Sequence, residues 1–257
     1  MQWRTIFRKE MLEYWRNFSW IWVPIVFIIL AIMDPLTTYY MPIILDKAGG
    51  LPESAVFEMP DISAVDAFMM SLSEYSMFGV LVIVLITMGA IAGERKSGVV
   101  ELILVKPVHY GTYISSKWAA KLTVVLASAS IGLLTSWYYV SLLFGDIPFV
   151  LIIQAIFFYS LWFVLVITIT IFFSCLFKSS SAVFGTSIVT LISMSAIYRV
   201  FSHKLSWFPN SLSGHISEML QTETISNSLW GASMITIAST LIILSISIHI
   251  FRKKELA

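Results

Sequence analysis

Cysteine occurs once in this 257-residue chain, at Cys175, so no intrachain disulfide can form and no CxxC pair or Cys/His zinc pattern exists. The four histidines, His109, His203, His215 and His249, are scattered, and no HExxH pair is present. A Ser, His and acid set can be drawn on paper from His215 and Glu218, but no nucleophile elbow accompanies it. No GxxxxGK(S/T) phosphate loop occurs, so the chain does not cradle ATP by that route. Charge is scarce too. Asp, Glu, Lys and Arg make up 12% of residues, against about a quarter in soluble domains. The net charge of +1 gives no reason to expect nucleic acid, and the only run of three consecutive bases, Arg252 to Lys254, fits a membrane anchor.

What the chain has in abundance is apolar residues, 58% of the total, with a mean hydropathy of +0.87. They are pooled into blocks of about 20, the number a helix needs to cross the hydrocarbon. Six blocks can be drawn: Phe18 to Tyr40, Tyr75 to Ala92, Leu122 to Phe144, Phe149 to Phe173, Ala182 to Phe201 and Leu229 to Ile250. Each is expected to be helical, because backbone amides without water must be bonded within their own segment. Arg4, Arg8 and Lys9 are followed by Glu10 and Glu13, which argues against a cleaved signal peptide and for a first span that serves as its own insertion signal.

Lys and Arg set the orientation. With the N-terminus in the cytoplasm, thirteen of the sixteen basic residues fall on the inner side, leaving Lys47, Arg199 and Lys204 outside among most of the acids. The expectation is one all-α integral membrane domain over 1–257, with both termini cytoplasmic in a bacterial inner membrane. Residues 1–17 form an interfacial helix, 18–92 the first two spans and their outer loop, 93–121 a cytoplasmic loop, and 122–257 spans three to six. The outer segment from Met41 to Glu74, with three prolines and Gly49-Gly50, reads as irregular. The Gly145 to Pro148 turn and the link at Lys178 to Ser181 are tight.

Before the first span, Trp3, Ile6, Phe7, Met11, Tyr14, Trp15 and Phe18 recur at helical spacing, which predicts a helix lying in the membrane interface on aromatic anchors, or one packed on the protein itself. Glu10 falls inside that apolar face and needs company. It either reaches the headgroups or accepts a bond from a basic residue of the next cytoplasmic loop. In that loop, Gly93-Glu94-Arg95-Lys96-Ser97-Gly98 leaves the membrane and breaks, and Val99 to Val105 forms a short apolar helix bearing Glu101, which Pro107 ends. So much apolar surface must be buried, in a partner's groove, on the bilayer or on the chain's own spans.

On these residues the chain resembles the ABC type-2 transporter permeases, whose bacterial half-size members have six spans and an N-terminal interfacial helix. The likeness rests on Lys9-Glu10, on Glu94-Arg95 with Gly98 and Glu101, and on Lys106-Pro107 followed by Lys117. One departure is Val99, where the family often has Thr. The resemblance implies a permease subunit, an exporter by expectation, in which two copies or a paralogue form the pathway. Two cytoplasmic ATPase subunits, carrying ATP and Mg, would drive it through a coupling helix between spans two and three. Glu10, Glu94, Arg95, Gly98, Glu101, Lys106 and Pro107 are then the coupling residues, and Leu212 to Leu220 is a short outer helix between spans five and six.

Two ionisable residues lie within spans. At about 1.5 Å per residue, Asp34 is roughly 21 Å from Trp20 and Arg199 roughly 24 Å from Val183. Similar depths suggest a pair, or a shared outer vestibule; alternatively Asp34 caps a kink at Pro35 and Arg199 reaches the headgroups. Small polar residues of spans four and five, such as Thr168, Thr170, Ser174 and Ser195, suit helix packing. Two other classes stay open: a non-transporting sensor or assembly factor on the same ATPase-linked scaffold, and an intramembrane enzyme using His203, His215 and Glu218.

Overall fold

A computed structural model describes residues 2–47, 62–100 and 108–255. All regular structure among them is helical, and six helices are long and apolar enough to cross a membrane. An amphipathic helix, Gln2–Arg16, comes first. The first span, Ser19–Lys47, carries Pro24, Pro35 and Pro42 inside one continuous helix. Prolines are tolerated there because neighbouring helices and side chains satisfy the freed carbonyls. The second span is built in pieces: Ala64–Glu74, a π-helical turn at Tyr75–Gly79, Val80–Thr87, and after a break Ala92–Lys96. Spans three to six are Tyr110–Leu143, Phe149–Leu176, Ser180–Phe201 and Asn227–Glu255.

Both termini lie at one end of the bundle. Trp3 Nε1 donates to Ser115 Oγ at 3.2 Å, the Phe251 ring stacks on Tyr113 with centroids 5.7 Å apart, and Lys254 Nζ donates to the Leu176 carbonyl at 2.6 Å. This is called the basic end below. At the opposite, acidic end Gly145, at φ 122°, turns span three into span four, and Trp137 Nε1 holds the turn by donating to the Ile147 carbonyl at 3.0 Å.

Span four is the centre, with 61% of its apolar window buried, against 17% for span five and 22% for each of spans one and six. Those three outer spans present apolar faces that no other described residue covers. Inside, small residues and hydroxyls bring the helices together, as expected where packing and hydrogen bonds replace the hydrophobic drive. Ser71 Oγ donates to the Ala31 carbonyl and shares a 2.7 Å bond with Ser136 Oγ. Tyr75 Oη donates to the Phe27 carbonyl at 2.8 Å. Gly132 of span three lies against this junction, with the position of any Cβ 2.7 Å from the Phe27 oxygen and closer still to Tyr75 Oη.

The boundaries differ from the sequence expectation at two places. Helix continues from Met41 to Lys47 and resumes at Ala64, so Glu74, assigned above to the outer loop, sits in a span. Span three starts at Tyr110 rather than Leu122, with the His109 ring accepting the Gly111 N–H as its cap, so Lys117 and Lys121 are helical. In both cases polar residues at a helix end read in sequence as loop, whereas the helix extends past the apolar block. The short helix between spans five and six is present as Leu212–Thr222, and its stripe of Leu212, Ile216, Met219 and Leu220 is buried, packed against span four.

Candidate functional site

The N-terminal helix turns Ile6, Phe7, Glu10, Met11 and Tyr14 toward the bundle, leaving Leu12 and Trp15 exposed. An elbow fixes that orientation. Phe18 adopts a left-handed φ of 59°, and Asn17 Oδ1 accepts from the Ser19 amide at 3.1 Å and its hydroxyl at 2.6 Å. The acid that breaks the apolar face is thereby buried. Glu10 finds its partner in Lys117 of span three, whose Nζ lies 2.7 Å from Oε1, with both side chains at most 4% exposed.

Lys117 is shared. Its Nζ is also 2.9 Å from Glu94 Oε1, and Glu94 in turn takes Lys9 Nζ at 2.7 Å and a short hydrogen bond from Tyr113 Oη. Lys9 closes the ring by meeting Glu10 at 3.1 Å. Burial works against the Lys9 charge, but Glu94 and Glu10 outweigh it and hold the ammonium above its usual range. Tyr14, whose Oη donates to Glu10 Oε2 at 3.4 Å, is raised by burial first and then by the Glu10 charge. Lys9 and Lys117 thus face Glu10 and Glu94 within one cluster, with Glu13 3.5 Å from Lys9 at its exposed edge. Pairing of this quality is what offsets the desolvation of buried charge.

Glu94 and Arg95 stand on the short helix that ends span two. Its start is clamped by Ser174 of span four, whose hydroxyl accepts from the Ile91 and Ala92 amides at 3.1 and 2.8 Å. Arg95 donates to the Cys175 carbonyl at 3.1 Å and lies over the Phe251 ring. The helix stops at Gly98, whose φ of 73° is the break expected from sequence. Val100 is already buried. Glu101, Lys106 and Pro107 lie outside the described residues.

The flanks of the segment 101–107 are therefore tied to the N-terminal helix and to spans two, three, four and six. Sequence reasoning named Glu10, Glu94 and Arg95, and the structure brings Glu10 and Glu94 together through Lys117. It missed the part played by Tyr113 and Ser174. A helix start at His109 was the one signal that would have turned Tyr113 and Lys117 onto a common face.

At the acidic end two ionisable residues lie within the spans, Asp34 and Arg199. Asp34 lies against Glu74. Arg199 lines a cavity of about 210 Å³ with Ser76, Tyr159, Ser195 and Asn210, and neither Asp34 nor Arg199 forms an ion pair among the described residues. His215 does approach Glu218, at 3.5 Å one turn along, but its other ring nitrogen is bonded to the Ser206 carbonyl at 2.8 Å.

An all-helical bundle of six spans, with a polar network beside the segment that joins spans two and three, defines a polytopic membrane component. The profile of the ABC-2 family transporter protein matches residues 4–256, nearly the whole chain. The chain belongs to the ABC-2 transporter family, whose permeases work with a cytoplasmic ATPase. It is also 31% identical over 205 residues to the uncharacterized transmembrane protein YxlG of Bacillus subtilis (strain 168), covering 80% of each chain.

Proposed function

We propose that this chain is the permease subunit of an ABC exporter in the bacterial inner membrane, with its basic end and both termini in the cytoplasm. Two copies, or this chain and a paralogue, line the pathway between them through the thinly buried outer spans. Two ATPase subunits, holding ATP and Mg, dock beneath on the segment around Glu94 to Pro107. Their closure pushes on Gly98 to Pro107, and the Glu10, Lys117 and Glu94 cluster passes that push to spans two and three. Asp34 and Arg199 contribute polar groups to the far half of the pathway.

The observation that carries this reading is the buried cluster itself. Lys117 is 2% exposed and is held by one carboxylate from the N-terminal helix and another from the end of span two. Such a tie makes the flank of the loop move as one body with the interface helix, whose exposed Trp3 and Trp15 suit anchoring in the headgroups. Charge reversal at Glu101 is the test. In the complex with its ATPase, Glu101→Lys is expected to abolish transport-linked ATP hydrolysis while the chain still inserts in the membrane. Undiminished coupled activity rejects the docking assignment.

A further inference from the structure

Two cavities of opposite character meet at Pro209, one at the acidic end of the bundle and the other running from there between the spans towards the basic half. The first is the cavity of about 210 Å³ that contains Arg199, polar in its lining through Ser76, Tyr159 and Ser195. The second, about 340 Å³, is apolar and lies between spans four, five and six beneath Trp207 and Phe208. Pro209 lines both, and the consecutive residues Met194 and Ser195 of span five face the apolar and the polar one respectively. The apolar slot follows span six from Ile235 to Ile246, which at 1.5 Å per residue is about 16 Å of bilayer depth.

The junction between them is held in place by side-chain contacts. Asn210 Nδ2 donates to Ser195 Oγ at 3.0 Å, and the Tyr198 and Phe208 rings stack nearly parallel with centroids 6.4 Å apart. These contacts fix the Phe208 to Asn210 turn against span five. Arg199 is exposed within the cavity and forms no ion pair among the described residues. Its planar fork, presented at the end of a span, suits a phosphate.

We propose that the two cavities form one site for an anionic phospholipid, with the headgroup phosphate on Arg199 and an acyl chain in the slot between spans four, five and six. Charge complementarity selects the anionic class, and the apolar slot at the same wall selects a lipid over a free anion. The site does not rest on the ATPase-coupling assignment, since Glu10, Glu94, Arg95 and Gly98 line neither cavity.

The full chain, reconstituted in nanodiscs, tests this with native mass spectrometry after detergent extraction. Phosphatidylglycerol and phosphatidylcholine of the same acyl chains serve as probes, with glycerol phosphate as the chainless control. Phosphatidylglycerol is expected to be retained about tenfold over phosphatidylcholine, because the choline ammonium already neutralises the phosphate that both lipids present to Arg199. Arg199→Gln is expected to remove that preference and Arg199→Lys to keep most of it, while Lys204→Gln, an outer cation away from the cavity, leaves it unchanged. Met194→Trp, which fills the slot, is expected to lower retention of both lipids. Equal retention of the two lipids, an undiminished preference in Arg199→Gln, or displacement by glycerol phosphate at equal concentration overturns the proposal. So does disulfide trapping of Arg199→Cys against Asp34→Cys between two copies lacking Cys175, which would make a second protomer the anion.

Discussion

Lys117 and Glu10 stand 107 positions apart in sequence and meet at 2.7 Å in surroundings from which solvent is excluded. Neither charge belongs to an apolar block, and each is tolerated because of the other. Removing one partner of a buried pair strands the second, and costs about 3–5 kcal/mol in well-studied cases. Lys117→Met is therefore expected to lower the thermal midpoint of the detergent-purified chain sharply. Glu10→Gln with Lys117→Met is expected to recover much of the loss, because both charges then go. A double variant no better than the sum of the singles, or a Lys117→Met midpoint like that of the exposed Lys253→Met, refutes the pairing.

Glu94 tests transmission separately from stability. It is 15% exposed, receives two ammonium groups and the Tyr113 hydroxyl, and stands four positions before Gly98. Tyr113→Phe deletes one hydrogen bond, worth about 1.5–3 kcal/mol when the acceptor is charged, and leaves both ion pairs. Its expected signature is a modest fall in midpoint with transport-linked ATP hydrolysis largely kept. Glu94→Gln weakens both ion pairs and is expected to cut coupled hydrolysis by about tenfold or more. Equal coupled rates for the two variants would show that the cluster holds the fold without passing on motion.

How much of this was legible beforehand depended on how each residue announces itself. Glu10 was conspicuous because a carboxylate breaks an otherwise apolar helical face, and that oddity already demanded a basic partner from the next loop. The identity of the partner was hidden, since Arg95, Lys96, Lys106, Lys117 and Lys121 all qualified until span three was seen to begin at Tyr110. Glu74 was lost for the same reason at the other end: hydropathy places a charge outside the membrane, while the helix runs on from Ala64 through it. Leu212 to Leu220 was found because four apolar residues at helical spacing leave little else to do. The clamp by Ser174 had no signal, because a serine that bonds two amides of another span looks in sequence like any packing serine.

Ser174 makes a local prediction. Its hydroxyl is the acceptor for two amides at the break between Thr87 and Ala92, where the helix no longer supplies carbonyls. Ser174→Ala leaves both N–H groups without that partner in a buried place. Hydrogen exchange at Ile91 and Ala92 is expected to speed up by an order of magnitude or more, with little change at Val124 or Leu165. Unaltered protection at the two amides would mean that other groups satisfy them.

Gly132 reports on packing of the first three spans. A methyl group there meets the Phe27 carbonyl and the Tyr75 hydroxyl at distances no side chain accepts. Gly132→Ala is expected to cost about 1–3 kcal/mol as overpacking does, read as a lower thermal midpoint and a poorer folded yield. Tyr75→Phe in the same chain removes one of the two obstacles and is expected to restore part of the loss. No rescue would locate the conflict at the Phe27 backbone alone.

Gly98 separates conformation from contact. Its φ of 73° lies in the left-handed region, and nothing stands within 4 Å of where a Cβ would be, so a substitution is opposed by backbone preference and not by crowding. The expected order of ATPase-coupled transport is therefore Gly98, then Gly98→Asn, then Gly98→Ala, then Gly98→Val, because Asn visits that region more readily than Ala and a β-branched residue hardly at all. The spread follows from about 1–2 kcal/mol of backbone cost at this one position. Folding of the spans should be indifferent to it, since the break lies beyond the membrane segment. If Gly98→Val transports as well as Gly98→Ala, the left-handed turn is not what aims the following segment, and Val100, already buried just past the break, becomes the residue that sets its register.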